Sequence, residues 1–121
     1  MVTTDTTSQV NECTAWRERL HAHRDELNQL SHELETVSKG KDSKDILTEV
    51  EHFQNQFYIQ QMNFHDLNHA IKSHAQKLTA EGNQHPPETI NEHETLLGQF
   101  NHLEYTLEKL KEEFNGFKSK V

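Results

Sequence analysis

Ten histidines in 121 residues are the side chains of this sequence best suited to chemistry at neutral pH. Three of them, His65, His69 and His74, lie in residues 63–74, NFHDLNHAIKSH. His65 and His69 are four residues apart, so on a helix they are neighbours one turn apart and could share a divalent ion. A physiological site normally takes at least three protein ligands, and the next turn offers only Lys72 or Ser73. His65 and His69 are therefore expected to be exposed, and to bind metal only adventitiously. Glu49 and His52 supply the Glu-x-x-His spacing of carboxylate-bridged di-iron bundles. Val50 and Phe53 carry the apolar stripe there, which turns both candidates outward or sideways. A haemerythrin-like reading of His65 and His69 also lacks inward carboxylates and a fourth helix. No cofactor is assigned.

Polar residues do interrupt the apolar stripes, at His23, Gln60, His74 and His93. Folding the chain at its two turns is expected to bring His23 level with Gln60, and His74 close to His93. Buried polar groups without partners cost about 1–3 kcal/mol, so these pairs are expected to be hydrogen-bonded and to set register, as isolated polar residues do in coiled coils. The alternative is a metal or small ligand held between His74 and His93, for which the sequence shows no third ligand. If these histidines are buried and neutral, stability is expected to fall as pH drops below their ordinary value near ~6.5.

Catalysis has little support. There is no Gly-rich phosphate loop, no G-x-S-x-G and no H-E-x-x-H, and Cys13 lies on an apolar stripe, where a structural thiol is expected rather than a nucleophile. The charge balance, 12 basic against 20 acidic residues for a net −8, repels phosphate backbones, so no nucleic-acid partner is expected. Protonating all ten histidines would move the net charge from −8 to +2. A single cysteine excludes an internal disulfide. The opening MVTTDTTSQV lacks the basic and apolar regions of a signal peptide, and no apolar run reaches the ~18 residues of a membrane span. A cytoplasmic location is expected.

The elements that must position these residues follow from periodicity. Mean hydropathy is −0.97 and only 31% of residues are hydrophobic, values that suit long helices with narrow apolar stripes. Apolar positions recur at 3–4 spacing from Cys13 through Trp16, Leu20, Leu27, Leu30 and Leu34 to Val37. They recur again from Ile46 to Leu78, and from Leu96 to Val121. Gly40 and Gly82 punctuate the breaks, Asp42 or Ser43 is expected to cap the second helix, and Pro87 with Glu88 suits the first turn of the third. The spacing predicts helices near 8–38, 43–81 and 87–117. Both linkers are short, so the predicted fold is all-α, an antiparallel up-down-up three-helix bundle forming one domain over 1–121.

With Trp16 in the first-helix core and FHDLNHAIKSHAQKL closing the second helix, the chain resembles a spectrin repeat over roughly residues 10 to 117. The resemblance implies the three-helix fold. The tandem arrays typical of that family have no counterpart in this single unit, so an elastic or cytoskeletal role is not carried over.

The second helix breaks its own pattern at FYIQQM. Phe57 belongs to the core stripe, whereas Tyr58, Ile59 and Met62 fall on the opposite side, extended by His65 one turn on. A cluster of this kind often marks a contact surface, and Tyr and Met suit it. The expected function is a non-enzymatic helical protein–protein interaction module, most simply a two-fold homodimer or a complex with a helical partner. The alternative is a histidine-based metal or small-ligand binder.

Overall fold

The structure is a computed structural model that describes residues 6–121. Three helices, α1 (Thr6–Ser38), α2 (Lys44–Glu81) and α3 (Pro87–Lys120), run up, down and up as a three-helix bundle, and there is no strand among the described residues. None of the helices is long and apolar enough to cross a membrane. The boundaries lie close to those expected from the heptads. α3 runs one turn further than expected because Phe117 is buried and Val121 still packs on the core.

The turns follow local backbone chemistry. Gly40 and Gly82 take φ of 76° and 69°, the left-handed region that a side chain would strain. Pro86 occupies the N-cap of α3 and Pro87 its first turn, with Glu88 at the positive end of the dipole. At α2 the expectation of a side-chain cap is corrected. Ser43 sits at the N-cap in an extended conformation, but its hydroxyl caps nothing, and its carbonyl accepts the Leu47 N–H at 2.9 Å instead.

The apolar stripes read from the sequence form one core. Its two ends differ in character. At the end where α1 finishes, Phe53, Phe57, Phe114 and Phe117 pack ring on ring at centroid distances of 5.3–6.3 Å. At the other end, where α1 begins and the α2–α3 turn closes, the buried residues include Gln9, Cys13, His74, Thr89 and His93.

The parallel pair α1 and α3 is joined by ion pairs at a repeat of seven residues. Arg19 meets Glu104 at 2.6 Å, Glu26 meets Lys111 at 2.9 Å and Glu33 meets Lys118 at 2.8 Å. A seven-residue step keeps a side chain on the same edge of a helix facing its neighbour. Glu12 lies one further step back on that edge, seven residues before Arg19.

Candidate functional site

The polar end of the bundle is built by one residue from each helix. The apolar stripe of α1 carries Cys13 inward, that of α2 carries His74, and that of α3 carries His93; all three are buried. One donor atom of each lies within 4.8 Å of the others, so these three residues could hold a metal ion. The two imidazoles meet directly, His74 Nε2 to His93 Nδ1 at 2.9 Å.

Each ring turns its other nitrogen outward to a carboxylate. His74 Nδ1 lies 2.5 Å from Glu92 Oε1, and His93 Nε2 lies 2.8 Å from Glu12 Oε2. A continuous chain, Glu92–His74–His93–Glu12, thus crosses the bundle from α3 through α2 and α3 to α1. Lys77 approaches the other oxygen of Glu92 at 3.6 Å. Trp16 covers His93 at a centroid distance of 4.9 Å and is backed by Phe100 at 6.0 Å.

The electrostatics follow from this burial. His74 has a pKa below its ordinary value because its side chain is removed from water, an effect that the adjoining Glu92 opposes only in part. Burial, reinforced by the charge of Glu12, pushes the Cys13 thiol up to about 11. At neutral pH Cys13 by itself is therefore a thiol, as expected of a stripe cysteine, and not a nucleophile.

A second polar cluster closes the same end. Glu81 Oε1 meets His85 Nδ1 at 2.9 Å and its other oxygen accepts the Thr89 hydroxyl at 2.9 Å. The Thr6 side chain reaches His85 Nε2 at 2.9 Å and bonds the Gly82 carbonyl, tying the start of α1 to the α2–α3 turn. The bond to His85 holds the Glu81 carboxyl below its usual range.

The expected pairing of His74 with His93 is present, but His23 and Gln60 do not pair with one another. His23 is half-buried, meets Glu104 of α3 at 2.8 Å and lies over Phe64. Gln60 bonds Thr106 at 3.3 Å. The reason is the α1–α3 seam, which brings Glu104 to the rim beside His23, while Gln60 finds a hydroxyl on the opposite neighbour. Glu49 and His52 look outward to Lys120 and Glu113, at 3.0 and 3.4 Å. His65 and His69 are exposed, with ring centroids 4.6 Å apart.

Sequence reasoning missed the roles of Cys13, Glu12 and Glu92. The signal was present, because Cys13 begins the first stripe at the level where the last inward histidine of α2 and the first of α3 must arrive. Glu12 and Glu92 are the immediate chain neighbours of Cys13 and His93.

Away from this end, Tyr58, Ile59 and Met62 on the outer face of α2 are 64%, 46% and 44% exposed. They sit within residues 52–65, a stretch that has no Asp, Glu, Lys or Arg in a chain that is 26% charged. Comparison with known protein families, with curated proteins and with solved structures gives no match, so the likeness to spectrin repeats is one of pattern.

Proposed function

We propose that this chain is a non-enzymatic helical interaction module that self-associates through the outer face of α2. One observation carries the reading: Tyr58, Ile59 and Met62 are exposed together midway along α2, on the face opposite Phe57 and Phe64, with His65 extending the patch. The occupant we propose is a second copy of the chain. In a two-fold pair each residue near the axis faces its own counterpart or a close neighbour, so a charged patch would meet its own sign. An acidic chain that leaves residues 52–65 free of Asp, Glu, Lys and Arg supports self-contact there. The amide side chains Gln54, Asn55 and Asn63 add hydrogen-bonding groups of both kinds to the same exposed stretch.

Sedimentation equilibrium at neutral pH tests this. The wild type is expected to be dimeric, and the double substitution Ile59→Lys with Met62→Lys to weaken association by on the order of 100-fold or more while keeping helical content. A variant that remains associated removes this patch, and a monomeric wild type removes self-association.

A further inference from the structure

With both rings neutral, the chain Glu92–His74–His93–Glu12, whose two imidazoles are buried and whose carboxylates reach the surface, has three links and only two hydrogens to fill them. A neutral imidazole carries one N–H, and an ionised carboxylate only accepts. Two neutral rings therefore supply two hydrogens for contacts of 2.5, 2.9 and 2.8 Å. Whichever tautomers are chosen, one link sets acceptor against acceptor. Bonds to charged acceptors are the stronger ones, so the hydrogens belong on the two carboxylate links. In that state the ring-to-ring contact sets two lone pairs against each other in a buried site, a conflict that one added proton or one cation would relieve. A cation satisfies both lone pairs, and Cys13 stands beside them as a third donor.

We propose that Cys13, His74 and His93 form a buried site for one thiolate-seeking transition-metal ion of the Zn2+ class, with one ligand from each helix. The donor set is one sulfur and two imidazole nitrogens, which zinc accepts and which the oxygen-seeking Mg2+ and Ca2+ do not. On binding, Cys13 ligates as the thiolate and its proton leaves to solvent. Ligating nitrogens on a tetrahedral zinc lie roughly 3.3 Å apart with their lone pairs converging on the ion, so both rings turn as well as part from their nearly head-on 2.9 Å contact. Glu92 and Glu12 are already in the outer positions, each fixing the tautomer of a ligating ring from its far nitrogen. The site is separate from the outer face of α2 and does not depend on self-association.

The test is a titration of the reduced, metal-free protein with Co2+. It is followed by the sulfur-to-cobalt charge-transfer absorption and by the emission of Trp16, the chain's only tryptophan, whose ring covers His93. One equivalent is expected to produce both signals, and Zn2+ to displace it. A variant with His65 and His69 both changed to Asn is expected to bind as the wild type does. Glu12 is exposed, so Glu12→Gln is expected to keep the fold while weakening binding about 10–100-fold. Cys13→Ser is expected to remove the charge-transfer band. If that variant does not fold, the Glu12→Gln comparison decides. No charge-transfer band in folded, reduced wild type overturns the proposal and leaves a shared proton on the ring-to-ring link. Uptake that is lost with His65 and His69, or unchanged in Glu12→Gln, overturns it as well.

Discussion

At the scale of single residues, the buried histidine pair couples stability to pH. His74 is faced by His93 and Glu92 from α3 and by Cys13 from α1, with Lys77 a turn away on its own helix and Glu12 reached through His93. Its pKa is lowered in the fold by burial, so below ~6.5 the unfolded chain takes up the proton more readily than the native one. The contribution of His74 is therefore present above that value and is lost as pH falls toward the lower folded pKa. The expected outcome is a lower melting temperature at pH 5.5 than at 7.5 in the presence of a chelator, and a smaller difference in His74→Gln. Equal differences in the two proteins would assign the effect to other histidines. Glu81, depressed by its bond to His85, acts in the same sense at more acid pH.

At the scale of elements, the α1–α3 seam sets how two parallel helices align. The pairs Arg19–Glu104, Glu26–Lys111 and Glu33–Lys118 share one offset, so a shift of one turn would break all of them together. Each is partly exposed and so contributes little individually, about 0.2–1 kcal/mol, and less in high salt. A double-mutant cycle on Glu26 and Lys111 is expected to give a coupling near ~0.5 kcal/mol that 1 M NaCl reduces, read from urea unfolding. Lys111 is the member to choose because its ammonium donates to Glu26 at 2.9 Å and to Glu108 at 3.1 Å, contacts that raise its pKa. The aromatic end of the same helices contributes more per residue. Phe114 is fully buried against Phe53, Phe57 and Phe117, and Phe114→Ala is expected to cost about 3–5 kcal/mol.

At the scale of the whole molecule, the bundle divides its labour along its length. One end is closed by aromatic packing, the middle of α2 offers an uncharged outer surface, and the other end carries a polar chain with two buried imidazoles under a Thr6–His85 tie. Loading that end with metal is expected to raise the melting temperature of the whole domain, because an ion bound only by the native state stabilises every element that its ligands join. Losing the α2 patch, by contrast, is expected to change molecular size while leaving metal uptake at the polar end unchanged. The two sets of substitutions are independent, since the patch and the polar end share no residue.

Periodicity in the sequence determined the helices, their boundaries within a few residues, and nearly every core position, because a 3.6-residue period leaves only one face to bury. It also determined that Glu49 and His52 stay off the core stripe, that His65 and His69 look outward, and that His74 and His93 meet. Beyond that pair, partners contributed by a second helix were out of its reach. His23 could be placed on the stripe but not matched to Glu104, since that depends on the rotation and offset of α3 against α1. The convergence of Cys13 with the two histidines is of the same kind: its three donors lie 19 to 80 residues apart in the chain, leave no local motif, and come together only because three helices are packed at one level. The Glu92–His74–His93–Glu12 chain is likewise a property of packing, since only the tertiary fold sets two imidazoles nitrogen to nitrogen between two carboxylates.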